Sequence, residues 1–401
     1  MEKRIDMKPD ITLIFPRSKF LLDEAVFPPL GILYLSAFLK RHGITTQCLD
    51  MGLGHVKEMA EADTVGISFC TPQRFEAWKL VEYYKSIGKR VIVGGPHVTH
   101  MPDEAGSGGA DYIVRGYGEE QLANILSGRE VSSCGIDNYP YPDRSALPLR
   151  DYRYMIDGIP ATVVMTSRGC PFDCSFCGRV SKKLAMQSAE RTIEEILHIH
   201  HIYEFEAFMI FDDIFILGRQ RLRDIAEALE GKFKFRCFGR ADLINDETCE
   251  LMCKMGVVEV GIGIESGSDE VLKLSMKKSS SAMNFNAVKM LQRYGIRAKA
   301  FIIVGLPGES AATIQETARW IKEVEPDDID FSVFQPMPGS NIFKDPQGYG
   351  INFQYDTLPY WFKGIPGEYS TGVSTEDLSG VEIVAYRDLL EERFKRVDLL
   401  R

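Results

Sequence analysis

The sequence predicts an α/β protein in which two parallel β-sheets follow one another along the chain. Both halves alternate short β-branched segments with amphipathic segments of about a dozen residues, the pattern of repeated βαβ units. From about Leu126 to Tyr152 this pattern breaks into Ser, Gly, Asp and Pro, which predicts a linker. We therefore expect a first domain over 1–130, a linker over 131–155, a second domain over 156–340 and an α-rich extension over 341–401.

The first domain is predicted to be doubly wound and flavodoxin-like, because five strands are separated by helices. Its predicted strands are Ile11–Phe15, Thr45–Leu49, Ala62–Cys70, Arg90–Val93 and Asp111–Val114. Its predicted helices are Leu30–His42, Arg74–Ser86 and Glu119–Leu126.

The second domain is predicted to be a partial (β/α)6 barrel, since six strands are too few for a closed barrel of eight. The predicted strands are Ala161–Thr166, Ala207–Phe211, Lys234–Phe238, Glu259–Ile264, Lys299–Val304 and Asp330–Phe334. Helices are expected at Thr192–Tyr203, Arg219–Glu230, Asp246–Met255, Ser279–Tyr294 and Ser310–Val324, with a charged helix near Gly380–Leu399.

The amino-acid composition argues against several classes of function and location. Apolar residues make up 45% and charged residues 26% of the chain, which is ordinary for a soluble globular protein. The net charge of −10 leaves no basic excess to neutralise phosphates, so duplex nucleic acid is not an expected partner. No stretch approaches 18 uncharged apolar residues, and the first ten residues lack an apolar signal-peptide core, so neither a membrane span nor a secretory leader is expected. Nine cysteines in this pattern favour a reducing, cytoplasmic setting.

Three of these cysteines form the clearest chemical signal in the sequence. Cys170, Cys174 and Cys177 have Cys-x3-Cys-x2-Cys spacing and directly follow a predicted barrel strand. Three thiolates on one loop can hold three irons of a [4Fe–4S] cubane and leave the fourth iron open. Zinc is the alternative, but it needs a fourth ligand, and no Cys-x2-Cys partner follows within about twenty residues. Structural cysteines are the other alternative. By contrast, Cys249 and Cys253 share a helical face and are expected in the core.

The cysteine loop resembles the signature of radical SAM enzymes, and the similarity extends from Ala161 to Ser340. The resemblance implies that the open iron binds the amino and carboxylate groups of S-adenosylmethionine, whose cleavage gives a 5′-deoxyadenosyl radical. The residues it assigns to S-adenosylmethionine are Phe176, Asp212, Asp213, Arg240, Glu265, Ser266, Gly305 and Pro307.

The resemblance also gives these residues separate roles. Phe176 packs near the adenine, Gly305 and Pro307 line it, and the Asp212/Asp213 pair contacts the methionine amino group. Arg240 and Glu265 bind the ribose and carboxylate. An aspartate pair at a strand end can otherwise be a solvated turn or a helix N-cap. An ionised Glu265 at the end of an apolar strand needs a partner.

The first domain resembles the cobalamin (B12)-binding domain that precedes the barrel in many radical SAM enzymes. Glycine-containing loops follow its predicted strands, where a backbone can approach a large ligand closely. The positions that the resemblance assigns to cobalamin are Thr71, Gly94, Gly95, Pro96, His97, Gly116, Gly118 and Glu119. The chain lacks the Asp-x-His element whose histidine ligates cobalt, which implies binding without a protein imidazole. A domain that keeps the fold but no cofactor is the alternative.

Together the resemblances imply a cobalamin-dependent radical SAM enzyme, most similar to class B methyltransferases, which methylates an unactivated carbon of a small molecule or peptide. Holding two cofactors over one substrate suits radical chemistry, because a radical must react before it diffuses away. An external electron donor of the flavodoxin or ferredoxin type is implied as well. The alternatives are a radical isomerase, a cyclase or another C–C bond-forming enzyme, with or without B12, and a non-enzymatic iron–sulfur or corrinoid carrier or sensor.

Overall fold

The computed structural model describes residues 8–132, 134–355 and 370–395, and the chain divides into two compact units. The first unit ends at Arg153 and the second begins at Tyr154, except that Phe20–Leu22 groups with the second unit. This boundary falls near the end of the predicted linker, and the finer division into four segments stays a prediction.

The first unit contains a fully parallel five-stranded sheet with the order β2-β1-β3-β4-β5, the flavodoxin-like order. Its strands are β1 (Ile11–Phe15), β2 (Thr46–Asp50), β3 (Thr64–Ser68), β4 (Arg90–Gly94) and β5 (Tyr112–Ile113). Its helices are α1 (Leu30–Arg41), α2 (Arg74–Ser86), α3 (Pro96–His100), α4 (Pro102–Ser107) and α5 (Glu119–Ser127). The two short helices α3 and α4 were not predicted, although each begins at a proline, a favoured first helical residue.

The second unit is built on a seven-stranded sheet with the order β14-β13-β12-β11-β10-β7-β6. Six of these strands are parallel, and β6 pairs antiparallel with β7 at one edge. The strands are β6 (Met155–Ile156), β7 (Ile159–Val164), β10 (Ala207–Ile210), β11 (Lys234–Gly239), β12 (Val257–Glu265), β13 (Arg297–Val304) and β14 (Asp328–Val333). The predicted fold class, a doubly wound domain followed by a partial (β/α)6 barrel, is confirmed.

Smaller elements complete the second unit. Two antiparallel pairs of short strands are β8 (Ser167–Arg168) with β9 (Ala185–Met186) and β15 (Asn352–Phe353) with β16 (Val373–Ser374). The helices are α6 (Ala189–Tyr203), α7 (Arg219–Leu229), α8 (Asp246–Met255), α9 (Asp269–Leu274), α10 (Ser281–Arg293), α11 (Ala311–Val324), α12 (Asn341–Lys344) and α13 (Gly380–Phe394). The predicted C-terminal helix was drawn to Leu399, and residues 396–401 lie outside the described residues.

Side-chain caps decide where several barrel helices begin. Ser188 caps α6 four residues before the predicted start at Thr192, because its hydroxyl accepts a hydrogen bond from Arg191 N–H. Ser310 caps α11 in the same way and exchanges hydrogen bonds with Thr313. The helix α8 ends at Gly256 in a left-handed conformation. On this helix Cys249 is buried as expected, but the prediction for Cys253 was wrong, because that side chain is exposed.

Candidate active site

The cysteine motif lies in a closed loop between β8 and β9. The two strands pair antiparallel, Ser167 with Met186 and Arg168 with Ala185, so both ends of the loop are tied together. Inside this closure, Cys170 N–H donates to Ser181 O at 3.1 Å. Gly169 has φ of +86°, and a Cβ there would lie 2.4 Å from Lys183 O. Glycine is therefore required where the chain turns into the motif.

Asp212 anchors the segment that leads into this loop. Its Oδ1 accepts hydrogen bonds from the backbone N–H groups of Thr166 and Ser167, at 2.6 and 3.0 Å. Its Oδ2 accepts from the hydroxyls of the same two residues, at 2.6 and 2.8 Å. The side chain is 1% exposed, and burial raises its pKa despite these hydrogen bonds. Because both oxygens already accept two bonds each, Asp212 is placed to position the loop.

Asp213 is the more accessible carboxylate of the predicted pair. Asp213 is exposed, and the pKa of its carboxyl group is raised mainly by desolvation and to a smaller extent by repulsion from Asp212. It lies close enough to the cysteine loop to raise the pKa of Cys170 and Cys177. Of the two aspartates, Asp213 is the one whose carboxylate could reach a ligand.

The far side of the loop is held by two other segments of the barrel. Ser175 N–H donates to Ser275 O at 3.0 Å, and Ser175 O accepts from Ile342 N–H at 3.1 Å. Gly178 packs so tightly that an added Cβ would lie 2.5 Å from Pro338 O. The segment between Cys174 and Cys177 is thus fixed by backbone contacts on both sides.

The three thiols fit an iron–sulfur cluster by the chemistry of the donor set. All three are partly buried, and burial raises the pKa of Cys177 to about 11, with smaller contributions from Cys174, Asp213 and Cys170. Burial also raises the pKa of Cys170. Iron must therefore displace protons from these groups as it binds. Across the described ranges, no three His, Cys, Asp or Glu side chains form a site for a single metal ion. The fit depends on three thiols in one anchored loop.

Arg240 connects the cysteine loop to the end of β11. Its Nε and Nη2 donate to the two carboxylate oxygens of Asp242, at 2.9 and 3.3 Å, and Nη2 also donates to Lys277 O at 2.9 Å. Its Nη1 donates to Cys174 Sγ at 3.5 Å, and the guanidinium lies 3.8 Å from the Phe172 ring centroid. Neither Asp242 nor Phe172 was singled out by the sequence. Arg240 is 5% exposed, so it is a fixed positive charge beside the Cys174 thiol.

Glu265 ends β12 in a left-handed conformation, with φ of +64°, next to a register shift between Gly263 and Glu265. Its Oε1 lies 2.6 Å from Lys277 Nζ, and the two side chains are only 7% and 8% exposed. Lys277 Nζ also lies 5.8 Å from the Phe176 ring centroid. A partner for Glu265 was expected, but the sequence did not identify Lys277, because twelve residues separate the two.

Ser266 and the segment after β13 contain the remaining positions that were predicted to contact S-adenosylmethionine. Ser266 is fully buried, and its hydroxyl lies 3.1 Å from Thr317 Oγ1, so it stabilises the turn after β12. Gly305 has φ of +100°, and its N–H donates to the carboxylate of Glu309. Glu309 is buried, and burial raises its pKa to about 8. The sequence analysis did not identify Glu309 as the acceptor for Gly305. The available signal was its position four residues after Gly305.

In the first unit, the predicted cobalamin positions lie at the carboxyl ends of adjacent parallel strands. Thr71 follows β3, Gly95 and His97 follow β4, and Gly116 follows β5. Gly95 has φ of +99°, and a Cβ there would lie 2.6 Å from Phe69 O. The Gly116 N–H donates to Thr99 Oγ1 at 2.9 Å, which joins the last two loops. This edge of the sheet is where doubly wound domains bind ligands.

His97 faces the protein core. It is fully buried, with Nδ1 3.1 Å from Thr71 Oγ1 and Nε2 3.4 Å from Glu104 Oε2. Its ring lies 5.4 Å from Phe69 and 6.3 Å from Trp78, measured between centroids. We predicted contact between His97 and cobalamin; these contacts instead suit a residue that supports the loop from behind.

At the other positions that were predicted to contact cobalamin, the protein presents either backbone or a buried side chain. A Cβ at Gly118 would lie 2.8 Å from Val114 Cγ1, and Glu119 is 3% exposed in the first turn of α5. Gly94 and Pro96 flank Gly95 at the start of α3. The loops thus offer mainly backbone to a ligand.

The second unit is a half-barrel with a three-cysteine loop at the carboxyl end of its first parallel strand, and a doubly wound domain precedes it. This combination is typical of the class of radical enzymes that use two cofactors. Family matches agree with that class. Residues 164–321 match the radical SAM superfamily, and residues 23–126 match the B12 binding domain. Residues 164–321 therefore form a radical SAM domain, and a B12-binding domain precedes it in the chain. The expected [4Fe–4S] cluster, S-adenosylmethionine and cobalamin are confirmed as the cofactors of these two families, and so is the expectation of an enzyme.

Several curated proteins are similar over most of their length. An uncharacterized methyltransferase of Pyrococcus horikoshii is 28% identical over 381 residues, covering 83% of this chain and 82% of its own. The anaerobic magnesium-protoporphyrin IX monomethyl ester cyclase of Rubrivivax gelatinosus is 24% identical, covering 80% of this chain. This chain spans 66% of that cyclase. Hopanoid C-3 methylase of Methylococcus capsulatus is 26% identical over 78% of this chain.

Two solved structures share the fold. TsrM from Kitasatospora setae, a radical S-adenosylmethionine methyltransferase with cobalamin and a [4Fe–4S] cluster bound, has a TM-score of 0.68 at 15% identity, covering 87% of this chain and 81% of its own. The cobalamin-dependent radical enzyme OxsB has a TM-score of 0.70 at 18% identity, covering 96% of this chain and 66% of its own. Among the helices in the described part of the chain, none is both long and apolar enough to cross a bilayer.

Proposed function

We propose that this protein is a cobalamin-dependent radical SAM methyltransferase that methylates an unactivated carbon of a small molecule or peptide. The observation that carries the proposal is the anchored cysteine loop, which contacts a buried cation at Cys174, in a chain that also carries a B12-binding domain. When bound, the cluster supplies the electron that cleaves S-adenosylmethionine to a 5′-deoxyadenosyl radical, and cobalamin supplies a methyl group.

The residues of the half-barrel provide what such a reaction needs from the protein. Cys170, Cys174 and Cys177 would hold three irons through thiolates. Arg240 and Lys277 are buried cations, and Asp213 and Glu265 are carboxylates, so both signs of charge are present for the amino-acid end of S-adenosylmethionine. Each buried charge already has a partner within the protein, which fixes its position before a ligand arrives.

Aromatic and backbone groups supply the remaining contacts in the proposal. Phe176 and the Gly305–Pro307 turn would receive the adenine. Ser266 and Asp212 are positioning residues, because their hydrogen bonds are directed to other parts of the protein. In the first unit, Thr71, Gly94–His97, Gly116, Gly118 and Glu119 would line or support the cobalamin site. We further propose a flavodoxin- or ferredoxin-type electron donor and a cytoplasmic location.

A ring closure is the second candidate, because a magnesium-protoporphyrin IX monomethyl ester cyclase is among the relatives and aligns with 80% of this chain. A cyclase would consume S-adenosylmethionine without moving its methyl group to the product. The two reactions therefore differ in the fate of one labelled methyl group.

The test is anaerobic reconstitution with iron, sulfide and cobalamin, followed by incubation with S-adenosylmethionine carrying a CD3 group and with fractions of candidate substrates. The proposal expects retained corrinoid absorbance, formation of 5′-deoxyadenosine and a product heavier by one CD3 group. Formation of 5′-deoxyadenosine with an unlabelled product would favour the cyclase. No 5′-deoxyadenosine from a fully reconstituted, reduced protein would favour a carrier or sensor.

A further inference from the structure

The inner face of the half-barrel carries three phenylalanine rings in a row. Along β11 and β13 residues alternate between full and partial burial, because helices such as α10 cover only one face of the sheet. Phe238 and Phe301 lie on the partly exposed face, and Phe211, directly after β10, is 47% exposed. Adjacent ring centroids lie 5.9 Å apart for Phe211 and Phe238 and 5.8 Å apart for Phe238 and Phe301. We name this row the phenylalanine wall.

Gly261 is what allows the wall to cross β12. A Cβ at this position would lie 2.6 Å from the Phe301 ring and 2.9 Å from the Phe238 ring, so any side chain would push the rings apart. Gly263 lies two residues further on the same face, where a Cβ would meet Glu265 Oε1 and Lys277 Nζ at 2.3 and 2.6 Å. The wall therefore continues directly into the charged pair proposed for S-adenosylmethionine.

Toward the amino ends of the strands, the same face carries charges that neutralise one another. Arg236 and Arg297 each approach Glu259 to 3.3 Å, and Lys299 lies 2.8 Å from Asp328 and 3.3 Å from Asp330. Three cations thus face three carboxylates. A ligand group beside the wall meets charges that are already paired, which favours an uncharged group.

The geometry points to a flat, conjugated and uncharged ring system as the part of the substrate that lies against the phenylalanine wall; this inference rests on the proposed function. Neighbouring rings are inclined at 71° and 59°, so the wall presents both ring edges and ring faces. Conjugated ligands gain from both orientations, because the edge and face of an aromatic ring carry opposite partial charge. A saturated ring of the same size gains only dispersion.

Naphthalene and decalin test this inference, because they share a carbon skeleton and differ in flatness. Equilibrium dialysis against the cluster-reconstituted, cobalamin-loaded full chain would measure the affinity for each compound. The expected result is tighter binding of naphthalene, although decalin is the more hydrophobic compound. Equal or tighter binding of decalin would overturn the inference, and so would a failure of both to bind.

Variants locate the binding. Phe238→Leu, Phe301→Leu and Phe211→Leu should each weaken naphthalene binding about 3- to 10-fold and leave decalin binding unchanged, because leucine keeps apolar surface but loses the aromatic ring. Phe235→Leu is the matched control, because Phe235 lies fully buried on the opposite face of β11. This variant should bind both compounds as tightly as the parent protein does. Phe211→Leu is the least disruptive variant, because that side chain is already half exposed. Unchanged naphthalene binding in all three folded wall variants would refute the wall as its site.

The result is separable from the proposed function. Formation of 5′-deoxyadenosine from S-adenosylmethionine is measured on the same preparation without naphthalene or decalin. Selective naphthalene binding without any formation of 5′-deoxyadenosine would refute the proposed function, while the inference about the phenylalanine wall would still hold. The opposite outcome would refute the wall alone.

Discussion

The two candidate cofactor regions use different parts of the polypeptide. In the half-barrel, the predicted site is built from side chains, with Arg240, Lys277 and Glu265 all buried and all held by partners. In the doubly wound domain, the predicted site is built from glycine turns, and its one histidine points into the core. The difference suits the proposed ligands: the zwitterionic amino-acid end of S-adenosylmethionine is recognised by charge, whereas a large macrocycle needs close approach of the backbone.

The largest expected effect tests the side-chain half of this comparison. Cys177→Ser should prevent stable cluster assembly and lower 5′-deoxyadenosine formation by at least about 100-fold, more than loss of an outer-shell partner typically costs. Iron and sulfide content and the electron paramagnetic resonance signal of the reduced protein would check this. Cys253→Ser is the control, because Cys253 is exposed on α8. An intact cluster in the Cys177 variant would contradict the assignment.

Lys277→Met should be the next most damaging change. It leaves the Glu265 carboxylate buried without its cation, and loss of one partner of a buried ion pair costs about 3–5 kcal/mol of unfolding free energy. Urea unfolding would measure the loss, and equilibrium dialysis would measure the expected fall in S-adenosylmethionine affinity. Lys278→Met changes an exposed neighbour and should have little effect on either. Similar stability of the two variants would show that the pair is dispensable.

Gly95→Ala tests the backbone half of the comparison. Its φ of +99° and ψ of −178° fall in a region that is essentially restricted to glycine, and the added Cβ would clash with Phe69 O. Gly109→Ala is matched, because Gly109 also has positive φ but has open space around its Cβ position. We expect the Gly95 variant to be less stable than the Gly109 variant by about 1–3 kcal/mol, and to retain less corrinoid. Equal corrinoid retention would argue that this loop does not shape the site.

Arg240→Lys should shift the reduction potential of the cluster to a lower value. The guanidinium donates to Cys174 Sγ, and a nearby cation stabilises the added negative charge of the reduced cluster. Lysine cannot reproduce the bidentate contact with Asp242 together with the contact to the thiol. A potentiometric titration followed by electron paramagnetic resonance would measure the shift, with Arg236→Lys as the control. An unchanged potential would mean that Arg240 serves only to position the loop.

The prediction that bears least on the two cofactor regions is a pH dependence of stability at Glu309. Burial raises its pKa to about 8, above the value near 4.5 of an exposed glutamate, so the folded state holds this proton more tightly than the unfolded state does. The contribution to stability is fully present below about pH 4.5 and is lost as pH rises through about 8. Glu309→Gln should remove that loss, as urea unfolding of the metal-free protein at pH 5, 7 and 9 would show. Parallel pH profiles for parent and variant would contradict it.

Local sequence was sufficient for the architecture and for part of the site. The alternation of strands and helices predicted both sheets, and the spacing of Cys170, Cys174 and Cys177 predicted the loop that β8 and β9 close. The sequence analysis could not identify Lys277 as the partner of Glu265 or Glu309 as the acceptor for Gly305. Neither residue lies directly at a predicted strand end or in a recognised motif. It also misjudged Cys253, since a shared helical face does not decide how far the core extends along a helix.

The sequence by itself determined the order of the two folds and the chemistry of the thiols, because periodicity and spacing are properties of neighbouring residues. Only the tertiary structure decided which charges meet. Arg240 reaches Cys174, and Lys277 reaches Glu265, because parallel strands bring their carboxyl ends to one edge of the sheet. The phenylalanine wall likewise exists only once β10, β11 and β13 are aligned around Gly261. Register across strands is set by packing of the whole domain, and no local segment encodes it.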